Sequence, residues 1–309
     1  MLDGAARVGD LVETVRSLGQ TAVSINDHGN LFGVFEFYTA CVDAGIKPII
    51  GIEAYVAPGD ATDRERVEWG ELEDKTRPGA YTHLKVIAQN ATGVRNLYRL
   101  HRESYTRGFY HKPRFDRGML ASNSEGLIVL SGCMGGELAT RIRLGHTPEA
   151  REYASTMKEI FGERFFVEVM DHGIDFEREL NRGLHDVATM VGCKMVATND
   201  SHYVNPSDAT VHDALLCIQT YAKISDEKRY RFNGSGYHLR SRREMDQLTL
   251  PPESITNTLR VAEMVEGYGN LFEHKLRMPV YDTQVLEPEL WEEFEHVHDG
   301  YLGTTTVEG

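Results

Sequence analysis

The ten residues "SINDHGNLFG" (24–33) set Asp27 and His28 side by side between a short apolar run and a stretch of helical spacing. Similar placements recur along the chain: Glu53 inside "IIGIEAYV", His83 at the head of "HLKVIAQN", Cys133 just after "LIVLSG", and Asp200 with His202 in "ATNDSHYV". Imidazole, carboxylate and thiolate together are the donor set of zinc-like or mixed divalent sites. Each residue alone has a plainer reading. A His beside a strand is commonly a hydrogen-bonded structural residue, a Cys after an apolar strand is commonly core, and Asn, Asp and Gly are turn formers. Glu53 resists the plainer reading, because a carboxylate inside an apolar strand is costly to bury without a cation or a donor. Asp200 and His202, two apart at a strand end, can converge on one ion. The pattern as a whole predicts a metal site.

Other candidates carry less. Asp171-His172-Gly173 repeats the Asp-His-Gly triplet after a strand and is kept in a supporting role. His101, His111, His146, His185, His212 and His238 fall in helical or loop stretches and read as surface or capping residues. "NGSGYHL" (233–239) lacks the Lys-Ser/Thr of a phosphate loop and reads as a turn. "SGCMGGEL" has no paired His in a local signature, so Cys133 reads as a ligand or packing residue rather than a nucleophile.

Such side chains need a scaffold that gathers strand ends. "TAVSI" (21–25) predicts a strand, with Asp27-His28-Gly29 as its turn into a helix whose apolar face is Leu31, Phe35, Tyr38 and Val42 and which stops at Gly45. Further strands are expected at 47–58, 83–90, 126–132, 165–171 and 193–200, with helices at 91–107, in two segments after 132, at 175–191 and within 206–219. Strands alternating with helices argue a parallel sheet, open or closed into a barrel, with functional groups at the carboxyl ends of the strands. Residues 59–80, charged and without apolar periodicity, read as a surface insertion. From about 281 the rhythm gives way to an acidic tail or the start of a link.

Composition sets the outer limits. The 309 residues give room for one large α/β domain or two smaller ones. No window approaches the ~18–20 apolar residues of a membrane span and no leader follows Met1, so the expectation is a cytoplasmic protein without a membrane partner. Four cysteines without C-x-x-C spacing support neither a disulfide framework nor a zinc ribbon, and fit a reducing compartment. A net charge of −14 repels phosphate backbones, so contact with DNA would need bound metals or another module.

The segments "NDHGNLFGVFEFYTACVDAGIKPIIGIEAYVAP", "HLKVIAQNATGVRNLYRL", "SGCMGGEL" and "ATNDSHYV" resemble the polymerase and histidinol phosphatase (PHP) domain found at the amino terminus of bacterial DNA polymerase III alpha subunits. The resemblance runs from Leu2 to about residue 280. It implies a distorted seven-stranded (β/α) barrel holding up to three divalent ions (Zn, Mn or Mg) through nine ligands. By motif these fall on Asp3, His28, Glu53, His83, Cys133, Asp200 and His202, with Asp27 orienting its turn. The remaining two belong to a His-x-His strand expected several residues before "LDGA". This sequence starts at Met1-Leu2-Asp3, so that first strand is expected to be missing, with Met1 an internal Met taken as a start or the chain a fragment. "NDHGN" stands where the family has "TDHGN", a change outside the ligand. The resemblance implies either a 3′→5′ proofreading exonuclease or an inactive scaffold that docks a proofreading subunit, with DNA and other replicase subunits as partners. A free-standing phosphoesterase for small phosphate esters is the alternative. The polymerase palm of the family lies beyond this domain, so the chain alone is expected not to make DNA and, with a partial site, to hold fewer ions.

Overall fold

β-Branched and apolar runs alternate with amphipathic segments, and the element order follows. The computed structural model describes residues 3–73, 75 and 77–272. In chain order these give α1 (Val8–Ser17), β1 (Ala22–His28), α2 (Val34–Asp43), β2 (Lys47–Val56), β3 (Thr82–Ala88), α3 (Ala91–Thr106), β4 (Arg114–Phe115), α4 (Arg117–Ser122) and β5 (Leu127–Leu130). There follow α5 (Glu137–Arg143), α6 (Thr147–Phe161), β6 (Phe165–Val169), α7 (Glu177–Val191), β7 (Lys194–Ala197), α8 (Ala209–Thr220), α9 (Arg242–Met245) and α10 (Pro252–Met264). Helix ends follow local chemistry: the Asn90 side chain accepts from Gly93 N at the start of α3, and α7 stops at Gly192 in the left-handed region (φ 71°). The acidic tail expected from 281 lies outside the described residues.

The strands form one curled, mixed sheet in the order β1-β2-β3-β5-β6-β7, with two-residue β4 against the end of β2. It is a half-barrel whose edges are β1 and β7. The expectation of a parallel sheet fails at β3, which runs antiparallel to both β2 and β5, while β1–β2, β2–β4, β5–β6 and β6–β7 are parallel. The reason lies in the connection. Parallel neighbours need a crossover, usually a helix, whereas among the described residues no helix separates β2 from β3.

The intervening 59–80 segment is more than the surface insertion expected. Ala61, Trp69 and Leu72 are buried, and the Arg141 guanidinium lies 4.0 Å from the Trp69 ring centroid. Buried Arg114 on β4 donates to the carbonyls of Ala61, Asp63 and Ala80 in the segment, and of Gly108 beyond it.

The main core packs α3, α6 and α7 on the sheet, with Val86, Ile128, Val129 and Phe166 fully buried. A smaller cluster of Val12, Val15, Phe37, Cys41 and Ile46 joins α1 to α2. Here too the sequence reading needs correction. Phe35 and Val42, placed on the buried face of α2, are exposed; Phe37 and Cys41 face inward against α1 instead, and Val34 against the main core.

Candidate metal centre

The site is built where strand ends meet. His28 is the last residue of β1 rather than part of a turn, and its register partner on β2 is Glu53. Across β2, Glu53 opposes Lys85 and Tyr55 opposes His83 on β3, so these four side chains share one face. His83 is the second residue of its strand. In a parallel β3 it would lie at the far end of the sheet, ~15–20 Å away at ~3.3 Å per residue. The reversal of β3 therefore delivers it to the others. Cys133 arrives on the loop after β5, whose Gly135 packs so closely that a Cβ there would sit 3.1 Å from His83 Nδ1. Gly29, at φ 61°, lets the chain leave β1 beneath the Tyr55 ring, where a Cβ would come within 2.9 Å. Asp200 and His202 follow β7, and the Ala5 N–H donates to the His202 carbonyl at 2.6 Å, which brings Asp3 alongside.

Two donor triads result, sharing His28: Asp3, His28 and His202, and His28, Glu53 and His83, each with its donor atoms within 4.8 Å of one another. In the first, Asp3 Oδ2 lies 3.4 Å from His28 Nε2 and 3.9 Å from His202 Nε2. In the second, Glu53 Oε1 lies 3.0 Å from His83 Nδ1, and Cys133 Sγ stands 3.6 Å from that oxygen and 3.5 Å from that nitrogen. Donors held ~2.0–2.1 Å from one tetrahedral ion stand about 3.4 Å apart, so these separations fit a shared cation.

The electrostatics fit it as well. Burial pulls the His28 pKa down, but the hydrogen bond to Asp3 and the charges of Glu53, Asp3 and Asp200 raise it to about 9. Burial raises the Glu53 carboxyl, yet the His83 hydrogen bond and the charges of His83, Lys85 and His28 hold it well below the usual carboxylate range. Burial, with the charges of Glu53 and Asp200, drives the Cys133 thiol well above its ordinary value. The hollow gathers protons where a cation would otherwise balance its carboxylates. Buried His28 Nδ1 also makes no hydrogen bond.

Of the expected residues, the triads unite Asp3, His28, Glu53, His83 and His202, with Cys133 against the second. Asp200 belongs to neither triad; its Oδ1 lies 3.4 Å from Lys85 Nζ. Asp27 accepts from Gly33 N at 2.8 Å and so fixes the turn after β1. Asp171 accepts from the N–H groups of Gly173 and Thr249, away from the donors. His172 is buried, stacked on Tyr237 at 4.1 Å, and joins Glu177 (2.9 Å) to the Asn199 carbonyl (2.9 Å), bracing the loop that presents Asp200. His212 is buried, not the surface or capping residue expected, and its Nε2 lies 2.7 Å from the Asp3 carbonyl oxygen. Lys85 and Glu168 went unnoticed in the sequence. The signal was the one that marked Glu53, a charge within an apolar strand.

The PHP domain family model matches residues 1–172. The chain belongs to the PHP family. It is 46% identical to DNA polymerase III subunit alpha of Saccharopolyspora erythraea, a match covering 100% of this chain and 27% of that protein. It is 43% identical to the Mycobacterium tuberculosis subunit over 91% of this chain and 24% of that one. This PHP domain thus spans about a quarter of the length of the curated relatives it matches. Among solved structures, an amidohydrolase from Chromobacterium violaceum superposes with a TM-score of 0.41 at 13% identity, over 85% of this chain and 93% of that one, too loosely to bear on function. Family membership and the two triads point to divalent-metal binding. Among the described residues no helix is long and apolar enough to cross a membrane.

Proposed function

We propose that this PHP domain is the metal-binding phosphoesterase module of a bacterial replicative DNA polymerase alpha subunit, working in the cytoplasm on the phosphodiester at a DNA 3′ end. The pair of triads sharing His28 carries the reading. Asp3, His28 and His202 would hold one divalent ion, and Glu53 and His83, with Cys133 beside them, a second, the single lone pair of neutral His28 serving one ion at a time. Zinc and manganese suit this mixture of imidazole, carboxylate and thiolate. Bound there, such ions supply Lewis acidity and a water acidified toward neutral pH. The chain's own contribution is positional. Glu53, buried and deprotonated, anchors the second triad, and His28 gives up its proton on loading, so metal uptake releases acid. Tyr55 and Tyr81 pack beside His83, with ring centroids 5.4 and 6.1 Å from its imidazole, and form an apolar wall to the hollow. A chain of net charge −14 does not draw DNA in by itself, so other parts of the polymerase would present the strand.

Titration calorimetry of the EDTA-stripped chain with Mn²⁺ and Zn²⁺ tests the metal reading: saturable binding is expected, weakened at least tenfold by Glu53→Gln, and no binding would refute it. The nuclease reading is tested in the full-length polymerase subunit carrying this sequence, on a 3′-labelled oligonucleotide. Mn²⁺-dependent shortening lost with Glu53→Gln supports it. A loaded site that leaves the 3′ end untouched would leave a metal-braced scaffold.

A further inference from the structure

At the floor of the hollow lies a cation that belongs to the chain. Lys85 enters from β3, 5% exposed, on the face that carries His83 and Glu53. Its Nζ is 2.8 Å from Glu168 Oε1 on β6 and 3.4 Å from Asp200 Oδ1 after β7. Glu168 is fixed for this contact: Thr198 Oγ1 donates to the same Oε1 at 2.6 Å, and the Glu168 N–H donates to Ser131 Oγ at 2.9 Å. Asp200 is fixed as well. Its backbone takes φ 45°, a strained value for a residue with a Cβ. The preceding Asn199 holds it there, accepting from His172 through its carbonyl and donating through its side chain to the carbonyls of Gly236 and His238. The loop is thus braced on two sides in a conformation that turns the carboxylate toward the ammonium.

The carboxylates fall into two groups by direct contact, with the Lys85 charge reaching Glu53 as well. Asp3 and Glu53 stand among imidazoles in the two triads, whereas Asp200 and Glu168 meet at Lys85. A divalent ion bound through Asp200 would have to sit beside a buried ammonium, and like charges repel strongly where little water screens them. Building on the metal reading above, we propose that the Lys85 ammonium takes the place of one divalent ion at the Asp200 corner, so that this domain loads its ions on the two triads alone. Lys85 sets the number of ions, and Asp200 serves as its counter-charge rather than as a ligand.

The count of ions tests this on the full 309-residue chain. The EDTA-stripped protein is titrated with Mn²⁺ by calorimetry and the bound metal is measured by elemental analysis. Lys85→Met is expected to bind one more Mn²⁺ per chain at saturation than the unsubstituted protein, and Lys85→Arg, which keeps the charge, the same number. Asp200→Asn alone is expected to leave the count unchanged, but to remove the additional ion in the Lys85→Met background. Equal counts for a folded Lys85→Met and the parent would overturn the inference while leaving the metal reading intact. If Lys85→Met does not fold, Asp200→Asn decides, because it keeps the Lys85–Glu168 pair: an unchanged count supports the inference and the loss of an ion overturns it. No ion on the parent protein would overturn the metal reading, and this inference with it.

Discussion

Replacing Arg114 with methionine tests how the 59–80 segment is tied to the wall of the site. Arg114 is 1% exposed and donates to four carbonyl oxygens: Ala61 at 3.0 Å, Asp63 at 2.6 Å, Ala80 at 2.9 Å and Gly108 at 3.2 Å. The bonds to Ala61 and Gly108 lie in buried surroundings; those to Asp63 and Ala80 are partly open, so water can replace the lost donor there. Methionine fills much of the stem's space and donates nothing. The Ala61 carbonyl keeps the Arg64 guanidinium as a donor at 3.1 Å, so Gly108 is the buried acceptor left without a partner, at a cost of about 2 kcal/mol. At ~2–4 °C per kcal/mol for a chain of this size, the melting temperature should fall by roughly 6 °C. Urea denaturation measures the loss, and limited trypsin digestion locates it. Cleavage should accelerate at Arg64, Arg66 and Lys75, within the segment that leads into Tyr81. Tyr81 itself stands 5.0 Å from Tyr55 between ring centroids, so a loosened segment should also disturb the apolar wall. A loss below about 1 kcal/mol with unchanged cleavage would refute the reasoning and show that Trp69 and Leu72 anchor the segment without Arg114.

Two further perturbations follow from the geometry. His28 holds its proton up to about pH 9 in the ion-free fold against an ordinary value of 6.5, so this pairing stabilises the fold fully below pH 6.5 and is lost as pH rises through about 9. The loss should approach about 3 kcal/mol, read from urea midpoints in EDTA at pH 6 and 9.5, and an equal fall in His28→Asn would assign it to another group. Gly51→Ala would place a Cβ 2.2 Å from Asn26 Oδ1 and 3.0 Å from the Val86 carbonyl oxygen, forcing β1 and β3 to shift about β2. A destabilisation of about 1–3 kcal/mol is expected by calorimetric melting, and an unchanged melting temperature would mean that Asn26 swings clear.

Most of the strand and helix rhythm was legible because apolar periodicity is local, and so was the donor set, because Glu53 is conspicuous in an apolar strand. The direction of β3 was not read, although its cause was visible: residues 59–80 carry no helical pattern, so nothing there could act as a crossover. Without that reversal, the placement of His83 at a strand's beginning conflicts with a site at the strands' ends. The pairing of Asp200 with Lys85 depends on neighbours 115 residues apart, which periodicity does not reach. The face of α2 was misjudged for a similar reason, since its inward side is set by α1, an element the sequence reading did not identify. His212 was taken for a surface or capping residue because its partner is the carbonyl of Asp3, 209 positions away.

The meeting of His202 with Asp3 gives the two triads different histories. The residues of the second, His28, Glu53 and His83, all lie within the first third of the chain, whereas the first waits for His202 to meet Asp3. During synthesis at roughly 5–20 residues per second, His202 emerges about 6–24 s after His83. A nascent chain therefore has the makings of one cation trap well before the other, and closing the second requires joining its beginning to a point two hundred residues on, a slow, non-local step. His28, common to both, is the hinge of that sequence of events: an ion captured early would already occupy the imidazole around which the later closure must form.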